Sequence, residues 1–163
     1  MIRRATPDDA ELLAHFRFAF RSEHRPPSES PSDFITRCAA WMRERLTADS
    51  HWRAWILIID DTPAGNLWLQ LIEKIPNPSA VEPELHAYIS NFFVRLDHRN
   101  RGGGAELMDA ALAECRARKV DNIFLWPTEE SRSLYERFGF GVSDRVLVRA
   151  SEVGRKDAKT PAS

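Results

Sequence analysis

Val94-Arg95-Leu96-Asp97-His98-Arg99-Asn100-Arg101-Gly102-Gly103-Gly104-Ala105 joins a strand to a helix through three adjacent glycines. An apolar run of extended character ends at Val94. A helical pattern begins at the glycines, with Leu107, Met108, Ala111, Leu112 and Cys115 on one stripe. Three adjacent glycines between a strand and a helix start leave main-chain N–H groups that no side chain shields. The helix mouth behind them offers unpaired donors and a partial positive charge. Arg99 and Arg101 add full charges, so the segment suits a pyrophosphate. Glycines also serve plain tight turns, and that reading stays open for this stretch taken alone. Two other phosphate loops do not fit. Leu107 stands where a dinucleotide fingerprint would carry its third glycine, and no Gly-Lys-Ser/Thr follows at the spacing of a P-loop.

Upstream, residues 2–4 read as a short strand and residues 7–21 as a helix. Pro7 in the first turn, with Asp8 and Asp9 near the positive end of the dipole, marks its start. Leu13, Phe16 and Phe20 give it an apolar face. Residues 24–30, rich in Pro and Ser, form a loop. Ser30 then caps a second helix that has Pro31 at its first position, with Ile35, Cys38 and Met42 on the buried stripe and Phe34 and Trp41 flanking. Residues 52–59 are a strand, 60–65 a turn and 66–72 the returning strand of a hairpin. The three prolines within residues 75–83 demand a loop. Residues 85–94 form a long strand that leads into the glycine loop.

Downstream, the helix runs from Gly103 or Ala105 to about residue 119, and a buried strand covers 122–126. Residues 129–138 form a helix that Gly139 terminates. Residues 140–142 and 145–148 are expected to make a last short hairpin. The order β-α-α-β-β-β-α-β-α-β-β implies an α/β (α+β) domain, with a mixed, mostly antiparallel central sheet flanked by helices. Trp68 and Trp126 are expected in the core, as large aromatics on strands usually pack.

Composition narrows the class. At 163 residues and 43% hydrophobic content, one domain over residues 1–150 is expected, followed by a polar tail at 151–163. The 23 basic and 24 acidic residues nearly cancel, so neither a nucleic-acid partner nor an acidic membrane surface is expected. Cys38 and Cys115 match no metal or redox spacing, and Cys115 reads as a buried thiol. No metal is expected. The first residues lack an apolar signal core, and the longest apolar run, residues 54–59, is far short of the ~20 residues that span a bilayer. A cytoplasmic location is the resulting expectation.

Two segments now fit a family together. Arg99-Asn100-Arg101-Gly102-Gly103-Gly104 resembles the Q/R-x-x-G-x-G/A motif of the GNAT superfamily of N-acetyltransferases, in the matching strand-loop-helix context. Further on, Ser133-Leu134-Tyr135-Glu136-Arg137-Phe138-Gly139-Phe140 resembles that family's L-Y-x-x-x-G-F segment. The match covers residues 85–140, while the N-terminal half agrees only in element order.

The resemblance implies transfer of an acetyl group from acetyl-CoA to an amine, by direct attack on the thioester. It implies that Phe92, Phe93 and Val94 splay from the neighbouring strand and that their backbone pairs with pantetheine. Arg99, Asn100, Arg101, Gly102, Gly103, Gly104 and Ala105 would cradle the pyrophosphate. A strand N–H near residues 92–94 would stabilise the oxyanion. Tyr135 would act as general acid on the departing thiolate, since a phenol ordinarily keeps its proton at neutral pH. The residues alone also allow Tyr135 to be an amphipathic core tyrosine.

Two departures from the family stand out. Tyr88 occupies the position where histone-type members carry a glutamate base. His86 and Glu84 share that strand face, so His86 is a candidate base as well as a candidate packed or solvated histidine. Thr128 stands where the family has an asparagine that contacts CoA. Asn91 is placed either to bind substrate or to satisfy backbone groups around a strand bulge. Glu23, His24 and Arg25 lie in the loop that often walls the acceptor site, and His24 is carried as a substrate candidate. The acceptor expected is a small-molecule amine; a protein N-terminus or lysine, or a module that binds acetyl-CoA without turnover, are the alternatives. The segment after Phe140 is short for the family, which points to a possible homodimer.

Overall fold

In a computed structural model that describes residues 1–23, 25–79 and 81–149, five strands form one sheet. They are β1 (Ile2–Arg4), β2 (Trp52–Ile59), β3 (Thr62–Glu73), β4 (Leu85–Val94) and β5 (Asn122–Leu125), in that spatial order. Pairing is antiparallel from β1 to β4 and parallel between β4 and β5. β2 is apolar but for Arg53, and β3 is buried from Ala64 to Leu69 with Asn66 the one polar side chain in that run, as a sheet covered on both faces requires. On one face Ala54, Ile56, Trp68 and Phe93 form a cluster with Leu13, Ala14 and Phe16 of α1 (Ala10–Ser22) and with Ala39 and Met42 of α2 (Pro31–Arg45). On the other, Leu57 meets Gly103 at the start of α3 (Gly103–Ala117), whose buried stripe includes Leu107, Met108, Ala111 and Cys115.

The helix starts follow local chemistry. A short 3₁₀ turn (Pro7–Asp9) precedes α1, closed by Thr6 and Asp9 and clamped by Arg3, whose two terminal nitrogens donate to the Asp9 carboxylate at 2.8 and 2.5 Å. Ser30 caps α2, accepting from the Asp33 N–H at 3.2 Å.

β3 begins four residues earlier than the sequence suggests. Asp60 and Asp61 take φ values of 48° and 57°, so they alone make the hairpin turn, and Thr62 and Pro63 already pair with Ile59 and Ile58. Aspartate tolerates the left-handed region better than most residues, which allows the primed turn that a twisted hairpin favours.

Residues 1–126 form one compact unit, and a second begins at Pro127. The second contains α4 (Arg132–Arg137), shorter than the expected helix over 129–138. The expected hairpin at 140–142 and 145–148 is not formed: the described residues there carry no strand. Val142 and Leu147 are 92% and 96% exposed. Two strands of three or four residues would make only an isolated two-stranded hairpin, which is marginally stable at best in water. The expected tail at 151–163 lies outside the described residues.

Candidate active site

Parallel pairing of β4 with β5 runs from His86–Asn122 to Ile89–Leu125, whereas β4 continues to Val94. The residues named for the pantetheine edge, Phe92, Phe93 and Val94, therefore lie past the end of β5. A bulge falls in the same stretch. On the β3 side Trp68 pairs with Ser90 and Asn66 with Phe93, so two residues of β4 oppose Leu67 alone. Asn91 is in this bulge, with φ of 47°, in the left-handed region that asparagine enters more readily than most. The fully buried Asn66 holds the bulge, its Nδ2 donating to the Asn91 carbonyl at 2.9 Å. The Asn91 Oδ1 accepts from Arg17 Nη1 of α1 at 3.3 Å. Asn91 thus satisfies backbone geometry at the bulge and also presents its side chain toward α1.

The glycine loop follows from Val94 through a 3₁₀ turn (Leu96–His98). Asn100 (φ 61°) and Gly102 (φ 86°) both take left-handed conformations, turning the chain into α3. A Cβ on Gly102 would meet nothing within 4 Å, so its glycine is needed for backbone conformation. Gly103 is needed for space: a Cβ there would lie 2.5 Å from Leu57 Cδ2. Ala105 and Glu106 donate their N–H groups to the Gly102 carbonyl at 2.9 and 3.2 Å. Among the described residues, the N–H groups of Asn100, Arg101, Gly102, Gly103 and Gly104 find no acceptor. Five successive donors at the positive end of a 15-residue helix make a cradle suited to phosphate oxygens.

The two arginines of the loop differ. Arg101 is exposed and makes no ion pair among the described residues. Arg99 is engaged: Nε donates to the Val94 carbonyl at 2.8 Å, and Nη2 meets both oxygens of Glu23 at 3.0 and 2.8 Å. Glu23, at the C-terminal cap of α1, neutralises that guanidinium and ties α1 to the loop. The substrate candidate His24 lies outside the described residues, and the Arg25 N–H donates to the Arg21 carbonyl at 3.1 Å.

His86 pairs across from Ile72 and Asn122, with its Nδ1 buried and without a partner. Five residues separate it from Asn91, about 16 Å along a strand. It lies close enough to Asp121 to help hold that carboxyl below its usual range, behind the larger effect of the Lys74 ammonium at 2.7 Å. Tyr88 stacks on Phe124 (5.5 Å, 22°) and meets Trp126 edge-on at 4.9 Å. Trp126 itself is 60% exposed, contrary to its expected place in the core, because β5 ends at Leu125 and leaves it beyond the sheet.

In the second unit, Thr128 and Ser131 fold on each other. The Thr128 N–H and Oγ1 both reach Ser131 Oγ at 2.9 Å, and that hydroxyl donates to the Thr128 carbonyl at 3.0 Å. This turn takes up the residues before α4, which shortens the helix. Tyr135 lies on α4. At its C-terminus Phe140 donates its N–H to the Tyr135 carbonyl at 3.1 Å, and Gly139 (φ 82°) donates to Glu136 at 3.0 Å. The Tyr135 and Phe140 rings meet at 6.0 Å and 68°. That is a Schellman ending with its hydrophobic contact, and it gives the L-Y-x-x-x-G-F spacing a structural cause.

Arg17 and Asn66 were missed by the sequence reading. Arg17 stands on the apolar stripe of Leu13 and Phe16, and Asn66 borders the apolar run 67–69; a polar residue on a buried face was the available signal.

A family model described as "Acetyltransferase (GNAT) family" matches residues 13–140. Among curated proteins, none matches the sequence significantly. Among solved structures, the chain is similar to a GCN5-related N-acetyltransferase from Ralstonia eutropha, with TM-score 0.75 and 29% identity over 92% of this chain and 97% of that one. It is also similar to a predicted acetyltransferase from Clostridium acetobutylicum solved with acetyl-CoA, with TM-score 0.75 and 20% identity over 92% and 95% of the two chains. A ribosomal-protein-alanine N-acetyltransferase from Brucella melitensis shares the fold at TM-score 0.66 and 18% identity, over 93% and 99% of the chains. With its strand-loop-helix motif, its sheet and its matched span all in agreement, the chain belongs to the GNAT acetyltransferase family.

Proposed function

We propose that this protein is an acetyl-CoA-dependent N-acetyltransferase acting on a primary amine of a small molecule. The observation that carries the proposal is the run of five main-chain donors at residues 100–104, beside a strand that outruns its parallel neighbour. Acetyl-CoA would supply the acyl group as a thioester. The residues present suit it: the 100–104 amides would bind the pyrophosphate, and Arg101 would add charge. Arg99, already balanced by Glu23, would act by fixing the loop against α1 rather than by meeting phosphate.

The main chain of Phe92, Phe93 and Val94 would align the pantetheine arm. An N–H in that stretch would donate to the oxygen on which charge develops. Tyr135 would return a proton to the departing sulfur. His86 stands too far along β4 from the bulge for direct contact with an amine placed there, so a role as base would run through water. Thr128, with its hydroxyl used in the Ser131 turn, would contribute to the coenzyme site mainly by shaping that turn.

Fold alone does not set the acceptor. What favours a compact amine is that the polar groups at the bulge are enclosed: Asn66 is fully buried, while Asn91 and Arg17 are half-buried. Release of free thiol from acetyl-CoA across a panel of small amines and N-terminal peptides tests the proposal. Turnover of small amines lost in Tyr135→Phe, with coenzyme affinity unchanged, supports it; turnover of peptides alone overturns the acceptor class.

A further inference from the structure

Arg17 is a half-buried cation with no counter-ion among the described residues. It follows Leu13 and Ala14, both fully buried, by four and three residues, so α1 presents it on the face that packs against the sheet. Burial pushes its guanidinium below the ordinary arginine value, and the neighbouring Arg21 adds to that effect. The groups that act the other way are Cys38 and Tyr88, neither of them a carboxylate. Among the described residues no acidic side chain reaches the guanidinium, and its one hydrogen bond is the 3.3 Å contact with Asn91 Oδ1.

Glu23, the acid at the C-terminal end of α1, is committed to Arg99. Two more polar atoms at the bulge are unsatisfied: among the described residues, Asn91 Nδ2 and Asn66 Oδ1 are buried and have no partner, and Asn66 is 0% exposed. Enclosed charges and amides are normally paired, because leaving them unpaired costs the desolvation of each group. Here an underused guanidinium and a spare amide donor stand together at the bulge of β4.

We infer that Arg17 and Asn91 form an anion subsite for the acceptor, so that the amine acetylated by this chain belongs to a small molecule carrying a carboxylate, such as an amino acid. The inference rests on the transferase proposal for the location of the amine, but the anion subsite is physically independent of it. One carboxylate oxygen would accept from Arg17, whose planar fork suits that geometry, and the other from Asn91 Nδ2. The same charge disfavours polycationic acceptors.

Two measurements test it. In the first, side-chain ¹⁵N–¹H spectra of the intact protein, with and without CoA, follow the Arg17 Nε–Hε signal, assigned with Arg17→Lys. The probes are N-acetylalanine and its carboxamide. The subsite predicts a saturable shift with the carboxylate and at least about tenfold weaker response to the carboxamide, as expected for losing a charge-assisted pair. Equal responses, or none to either probe, overturn it. In the second, kcat/KM is compared for alanine, alaninamide and ethylamine in the native protein and in Arg17→Gln. A preference for alanine of at least about tenfold that falls to near unity in the variant supports the subsite. A preference unchanged by the substitution, or better turnover of uncharged peptides or of a polyamine, overturns it. Absence of CoA binding would sink the transferase proposal, while the N-acetylalanine titration would still decide the anion subsite.

Discussion

Gly103→Ala should destabilise the protein through one contact, and that contact can be isolated. The added methyl would lie 2.5 Å from Leu57 Cδ2, 3.1 Å from Cδ1 and 3.4 Å from Cγ. Leu57 is 1% exposed and pairs within the sheet with both Ile2 and Gly65, so its side chain has little room to yield. Overpacking of this kind costs about 1 to 3 kcal/mol. The better helix propensity of alanine returns up to about 1 kcal/mol, less at a first turn, so a net loss of about 1 to 2 kcal/mol follows. Leu57→Ala alone should cost about 2 to 5 kcal/mol by opening a cavity under α3. In the double variant the new methyl enters that cavity, so the two losses should not add; a favourable coupling of about 1 to 2 kcal/mol is expected. Urea unfolding of the four proteins measures it. Losses that add within about 0.5 kcal/mol would refute the view that Gly103 is required for close packing on Leu57.

Three further outcomes are expected. Tyr135→Phe keeps the ring that meets Phe140 and removes only the phenol hydroxyl, so thiol release should fall about 10²-fold or more with coenzyme affinity unchanged; Gly139→Ala, forcing a side chain into φ 82°, should cost about 1 kcal/mol of stability. Arg3 holds the Asp9 carboxyl below its usual range, chiefly by hydrogen bonding, so that pair stabilises the fold above the unfolded carboxylate value near 4 and loses its effect as pH falls through the folded one. Asp9→Asn should therefore cost about 1 to 2 kcal/mol at pH 7, seen by urea unfolding, with the gap to the native protein closing toward pH 3. Burial pushes the Cys115 thiol up to about 11, so iodoacetamide at pH 8 should leave Cys115 unlabelled in the folded protein and modify it on unfolding.

The sequence was most legible where local chemistry and burial agree. Ser30-Pro31 marked the start of α2, and the glycines at 102–104 marked that of α3, because cap and turn residues act over a few positions. The end of the Tyr135 helix was visible in Gly139 for the same reason. Residues 140–148 misled, since Phe140, Val142, Val146 and Val148 report a strand preference that only a neighbouring strand can realise. Trp126 misled because its burial depends on where β5 stops. At the site, the sequence offered a bulge at Asn91 as one of two readings, but its register shift against β3 is encoded in no local pattern. The pairing of Arg99 with Glu23 was equally hidden, being a contact between residues 76 positions apart.

Calorimetry on the intact protein decides whether main-chain donors at the mouth of α3 hold the pyrophosphate of coenzyme A. Acetyl-CoA should bind with micromolar affinity, and S-acetylpantetheine, which lacks the phosphates, at least about 100-fold more weakly. Equal affinity for the two ligands, or no heat with acetyl-CoA, would contradict it.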